Sequence, residues 1–251
     1  MPAKQPAIRE NNLSVAWAQA FSALMAQGVK EIVPLQVTID IDPGSTFESP
    51  TIRNALDSEL QAHNKPLVET VASTIFPISM WNPALPREKL FERYLSALPS
   101  LKKFPQNRNG LYFERFMAHG DKQTRQLEFI IKSRLGENGR SPNPRRSMLQ
   151  VAVLDPSRDL TNQRQRGFPC LQQVSFAPYG NDELAVHGFY ATQYIFQKAY
   201  GNYLGLYNLG RFVAHELGLQ LTQVTCFSGI AELGAPKVRL AALKKTIEQS
   251  T

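Results

Sequence analysis

Cys170 stands in the segment Arg166-Gly-Phe-Pro-Cys-Leu-Gln-Gln-Val-Ser-Phe176, and its thiol is the group in this chain best suited to covalent chemistry. A thiolate adds readily to an electron-poor carbon and leaves again readily, so it serves catalysis through a reversible adduct. Arg166 is a nearby cation available to lower its pKa. Taken alone, a strand cysteine is more often a small buried hydrophobe than a nucleophile, so its companions decide. The adjacent Arg145 and Arg146 can match a phosphate with forked, charge-assisted donors, or be a solvated loop pair. Asn208 can offer a donor and an acceptor to a ring edge, or cap the helix that begins around it. Glu69 and Tyr112 are of types that manage protons; the plainer roles are a surface acid and a core aromatic. His119, His187 and His215 are isolated and are assigned no chemistry, and Cys226 reads as a buried strand residue.

The composition narrows the partners. The chain has 251 residues, 43% of them hydrophobic and 20% charged, ordinary for a globular protein. Its 28 basic and 21 acidic residues give a net charge of +7, with a pI near 9.5. That balance favours anionic partners. The basic residues are scattered, with no Lys/Arg-rich tail or zinc-finger spacing, so a small-molecule phosphate is favoured over nucleic acid. Two cysteines make no disulfide framework, and no His/Cys cluster has metal-ligand spacing. The N-terminal Met-Pro-Ala-Lys-Gln-Pro lacks an apolar signal segment, and no apolar run is long enough for a membrane span. A cytoplasmic protein is the expectation.

The elements that must position these groups follow from periodicity. Trp17, Ala18, Phe21, Leu24 and Met25 share one helical face after a possible cap at Ser14, with Gly28 as the stop. Leu35, Val37, Ile39 and Ile41 alternate as on a half-buried strand. Helices are expected over 68–76, 88–98, 126–135, 207–217 and 238–248. Strands are expected over 147–154, 172–177, 183–191 and 222–227, with a turn at Gly180-Asn181. Helices and strands are interspersed without a regular βαβ beat, repeat or linker. The expectation is α+β: one domain over 1–251, with an N-terminal helix and strand in 12–42 and a closing basic helix in 236–249.

Two adjacent arginines, a strand ending Asp155-Pro156, the dipeptide Pro169-Cys170 and then Leu204-Gly-Leu-Tyr-Asn208 occur in fixed order. That order resembles the thymidylate synthase and pyrimidine (deoxycytidylate) hydroxymethylase superfamily, best over 126–229. The resemblance implies a mixed β-sheet flanked by helices, with the sheets of two subunits packed back to back in a homodimer. It also implies that Cys170 adds to C6 of a pyrimidine nucleotide. Asn208 would hold the O4 and N3 edge, while Glu69, through ordered water, and Tyr112 would manage protons. Arg145 and Arg146 would bind the phosphate of the partner subunit's substrate. Thr192 matches a family serine hydroxyl. The implied donor is 5,10-methylenetetrahydrofolate, with Trp81 and Asn82 contributing a wall for its pterin.

The departures are as definite as the matches. Alanine stands at Ala191 where the family has a phosphate-binding arginine, and Leu171 replaces the histidine after the cysteine. The segment 228–233 lacks the family's His-x-Tyr, and the closing tail is replaced by a basic helix. Arg164, Arg166 and Lys198 are the candidates to compensate. The sequence thus points to a one-carbon transferase acting at C5 by methylation or hydroxymethylation. The alternative is a catalytically inactive nucleotide-binding homodimer kept as a sensor or assembly module.

Overall fold

Local chemistry sets the order of elements in the computed structural model, which describes residues 7–107, 111–137, 139, 141–160, 162 and 169–250. They run β1 (Ala7–Glu10), α1 (Leu13–Met25), β2 (Glu31–Ile32), β3 (Leu35–Asp40), α2 (Pro50–Ala62), α3 (Val68–Ile75), α4 (Arg87–Leu101), α5 (Tyr112–Met117) and α6 (Gln126–Leu135). Next come β4 (Gln150–Ala152), α7 (Pro156–Asp159), β5 (Leu171–Tyr179), β6 (Glu183–Tyr194), a π-helical turn (Ile195–Ala199), α8 (Tyr200–Leu217), β7 (Gln220–Glu232) and α9 (Ala241–Glu248). Asn12, rather than Ser14, caps α1: its side chain accepts from the N–H groups of Ser14 and Val15. Ser14 is instead buried, with its hydroxyl 2.7 Å from the Tyr200 hydroxyl. Pro50 opens α2, where a missing N–H costs nothing.

The strands form one mixed seven-stranded sheet in the order β1-β3-β7-β6-β5-β4, with β2 added beside β7. β6 and β7 run parallel, as a crossover through α8 requires, while β5 pairs antiparallel with β6 on one side and β4 on the other. Val186, Tyr190, Val224 and Cys226 are buried. On the same strands Phe189 is 44% exposed, and His187, Thr225 and Phe227 are only half-buried. One sheet face is therefore covered by helices and the other is open, as the alternation of a half-buried strand dictates.

α8 lies on the covered face because three glycines let it approach closely. A Cβ on Gly201 would stand 2.7 Å from the Val68 carbonyl, and one on Gly205 would stand 2.8 Å from the Ala72 carbonyl, both in α3. A Cβ on Gly210 would meet Val186 and Leu221 of the sheet at 2.9 Å. Here glycine serves contact rather than turning, and the helix runs unbroken from Tyr200. The expectation of a helix starting near Tyr207 is corrected accordingly. The expected strand over 147–154 is likewise shorter: Arg146–Met148 forms a 3-10 turn and only Gln150–Ala152 pairs as a strand.

Candidate active site around Cys170

Cys170 precedes the first residue of β5, and the ladder fixes its surroundings. Leu171 pairs with Tyr190, and the Ala191 N–H donates to the Cys170 carbonyl at 3.0 Å. Alanine at Ala191 therefore lies directly beside the thiol's own backbone. Just beyond, β6 ends and the chain coils through the π-helical turn, an irregularity that often marks functional sites. The Phe196 N–H donates to the Leu233 carbonyl at 3.1 Å, and the His63 ring stands edge-on to Phe196 at 5.5 Å. These contacts hold Lys198, and the segment after α2 that carries Lys65, against the Cys170 end of the sheet.

The electrostatics join the same groups. The Cys170 residue is exposed, yet the atoms packed around its thiol desolvate it. That desolvation pushes its pKa up, opposed by the positive charge of Lys198. Lys198 is lowered by burial, raised by Cys170 and lowered again by Lys65. Tyr112 is raised by burial and by Cys170, and the backbone of Cys170 and Leu171 lies against its phenol oxygen. Tyr190 is fully buried, its hydroxyl has no hydrogen-bond partner among the described residues, and Cys170 and Tyr112 are among its electrostatic neighbours. The Cys170 thiol, the Lys198 amino group and the phenols of Tyr112 and Tyr190 are thus electrostatic neighbours at one end of the sheet. Asn202 follows Lys198 by one helical turn and is 4% exposed.

Of the residues selected from the sequence, Cys170 and Tyr112 are brought together. Asn208 is buried within α8, two turns from its start, and does not open the helix. The asparagine near the head of that helix is Asn202. Glu69, in the first turn of α3, is half-exposed and pairs with Arg53 at 3.5 Å. Thr192 is half-buried on β6 opposite Ile230. Trp81 belongs to an aromatic cluster with Phe76, Phe212 and His215, with the Arg211 guanidinium over its ring. Phe212 and His215 lie about 15–20 Å along α8 from Asn202 at 1.5 Å per residue, so this cluster is remote from Cys170. Asn82 uses its side-chain oxygen to accept from the Ala84 N–H. Arg145 is exposed, and Arg146 donates to the Pro178 carbonyl at 3.3 Å. Arg164 and Arg166 lie outside the described residues.

Lys198 was legible as a spare cation, whereas Tyr190, Lys65 and Asn202 were not selected. Only the hydrophilic residues inside an apolar run, 195–206, could have drawn attention to Asn202. The second cysteine occupies a different setting. Cys226 is 2% exposed, lies 3.6 Å from the Gln193 amide nitrogen, and is pushed up to about 12 by burial. Ser228 and Tyr203 also donate to the Gln193 side-chain oxygen, so that network is closed within the fold.

A concavity of about 250 Å³ lies elsewhere, on the open sheet face, lined by Gln173, Ser175, His187, Gly188, Phe189, Thr225 and Phe227. Its floor is strand backbone and a stacked Phe189–Phe227 pair, centroids 5.3 Å apart, and neither cysteine lines it. Among the described residues no group of three or more potential ligands could hold a metal ion, and no helix is long and apolar enough to cross a membrane. A scan against family models finds no match for the chain, and a search of curated proteins finds none either. The fold defines a mixed α/β protein with a mixed sheet flanked by helices.

Proposed function

We propose that the protein is a thymidylate synthase-like transferase that substitutes C5 of a pyrimidine nucleotide through an adduct between Cys170 and C6. The observation that carries this reading is the meeting of the Cys170 thiol with Lys198 and Tyr112 at one end of the sheet. Addition of the thiolate at C6 makes C5 nucleophilic, and the carbonyl at C4 takes up the negative charge. Tyr112, kept protonated by burial, is a proton donor beside the thiol. Asn202 takes the amide role first expected of Asn208, since it lies one turn from Lys198 at the head of α8. The resemblance implies methylenetetrahydrofolate as the one-carbon donor. Trp81 and Asn82 do not fit its pterin: the ring of Trp81 is enclosed by its cluster and the Asn82 side chain is bonded to its own turn. No step is derived through that group.

The reading includes a homodimer. Arg146 is fastened to Pro178, eight residues along β5 from Cys170, a separation of about 26 Å at 3.3 Å per residue. Arg145 and Arg146 therefore serve a Cys170 site only from a second copy. The open sheet face, with its exposed Phe189 stacked on Phe227, is the surface that copy would cover. A non-catalytic nucleotide-binding homodimer is the second reading, favoured by the raised pKa of the Cys170 thiol.

Tritium release from 5-tritiated deoxyuridine and deoxycytidine monophosphates, with methylenetetrahydrofolate present, separates the two. Wild-type protein is expected to release tritium, and Cys170→Ser to release none. No release by the wild type from any nucleotide sinks the transferase reading, and activity in the serine variant sinks the nucleophile. In sedimentation, Phe189→Asp with Phe227→Asp is expected to turn a dimer into a monomer and abolish release. A wild-type monomer would remove the dimer and the trans arginines together.

A further inference from the structure

Cys170 lies just outside the strand ladder, and Gln172 stands where that ladder is irregular. Leu171 pairs with Tyr190 and Gln173 with Phe189, so β5 takes an extra residue at Gln172. This is a β-bulge, a device that re-aims a side chain. The Gln172 carbonyl accepts the N–H groups of Val153 at 2.8 Å and Leu154 at 3.1 Å. Those two residues are held in turn. Arg115 donates to the Val153 carbonyl at 2.7 Å, and a His119 ring nitrogen stands 3.3 Å from the Leu154 carbonyl. The bulge is thereby fastened to the α5 segment, and from it the Gln172 side chain turns back along its own strand. Its Nε2 donates to the carbonyl of Pro169, and the Cys170 carbonyl lies 3.5 Å from the same nitrogen. The Cys170 carbonyl also accepts the Ala191 N–H at 3.0 Å.

We infer that Gln172 is a positioning residue whose amide clasps the Pro169 and Cys170 carbonyls and so sets the direction in which the Cys170 thiol is presented. This rests on the reading of Cys170 as the nucleophile. A peptide unit is planar, so a hydrogen bond to its carbonyl orients the whole plane. The Pro169 carbonyl belongs to the plane before Cys170, and the Cys170 carbonyl to the plane after it. Holding both fixes φ and ψ of Cys170 and leaves χ1 as the rotation that places the sulfur. Pro169 is buried and brings its own locked φ to the same turn. An attack on carbon needs this order, because the reacting atoms must stand about 3–3.5 Å apart with their orbitals aligned.

Fluorine NMR of the full-length protein tests the clasp with no nucleotide present. Cys170 is exposed and Cys226 buried, so 3-bromo-1,1,1-trifluoroacetone labels Cys170, as peptide mass spectrometry verifies. The wild type is expected to give a single sharp resonance. Gln172→Met, similar in length but without a donor, is expected to give a split or broadened signal. Gln172→Asn, too short to span to Pro169, should do the same and carries the test if the methionine variant does not fold; thermal melts show which variants are folded. A single sharp resonance from either folded variant overturns the inference, as does a split signal from the wild type. Failure of both variants to fold overturns it too, because Gln172 would then be structural. In the tritium assay the folded variants are expected to lose about tenfold to a hundredfold in kcat, with KM within about threefold of the wild type. A raised KM with kcat unchanged overturns the positioning role. Split signals in the variants with no tritium release by the wild type would leave the clasp standing and remove the transferase reading.

Discussion

Arg115 on α5 and Lys198 on the π-helical turn are both cations withdrawn from water, and they are treated in opposite ways. Arg115 is 6% exposed and its guanidinium is paired with groups of the chain itself. It donates to the Val153 carbonyl at 2.7 Å and, in a forked pair, to Asp159 at 2.5 and 2.8 Å. Asp159 in turn accepts the Asp155 N–H at 2.8 Å. Lys198 has Cys170 and Lys65 for electrostatic neighbours and, among the described residues, no acid within ion-pair distance. A cation paired with a buried carboxylate ties the α5 and α7 segments together. A half-buried lysine with no acid within ion-pair distance among the described residues makes no such tie.

The largest effect that would sharpen this contrast is on stability. Arg115→Met should cost about 3–5 kcal/mol in urea unfolding, because it strands the buried Asp159 carboxylate. A loss under about 1 kcal/mol would show that Asp159 finds water, and would remove the distinction. Lys198→Met should change stability by less than about 1 kcal/mol, and upward, since it replaces a desolvated amine with an apolar chain of similar length. A large loss from that substitution would break the comparison, because Lys198 would then be structural in the same sense as Arg115.

The two cations also show where sequence reading stops. The periodic helix over 126–135 and the hairpin turn near Gly180 were legible because each is written in neighbouring residues. The start of α8 was not. Gly201 and Gly205 look like helix breakers, and only the proximity of α3 shows that they are contact positions. The expected helix began near Tyr207, and Asn208 was selected because Leu204-Gly-Leu-Tyr-Asn208 matches the family's motif. Cys170 and Tyr112 were both selected, but Lys65 joins Lys198 only through tertiary packing, which no local pattern records. Trp81 is a like case: an aromatic beside a proline break reads alike whether it lines a ligand or packs in a core, and here it packs on Phe76 and Phe212.

The acid dependence of the Arg115 deficit has a fixed sign. Burial by itself would raise Asp159, and the charge of Asp155 also raises it. The Arg115 hydrogen bonds and charge and the Asp155 N–H outweigh both and hold the carboxyl below its ordinary value. A carboxyl depressed in the folded state adds stability above its unfolded pKa, and that contribution disappears as pH falls through the folded pKa. In Arg115→Met the burial remains and the cation does not, so Asp159 should rise above its unfolded value. Protonation then relieves the variant while it weakens the wild type. The stability gap between them should therefore narrow from pH 7 toward pH 3, by about 1.4 kcal/mol for each pH unit that separates the two folded pKa values. Urea unfolding of both proteins at four or five pH values measures that gap. A gap that is constant over this range would mean that the deficit comes from lost packing of the arginine side chain, and Arg115 would then be no more an electrostatic tie than Lys198.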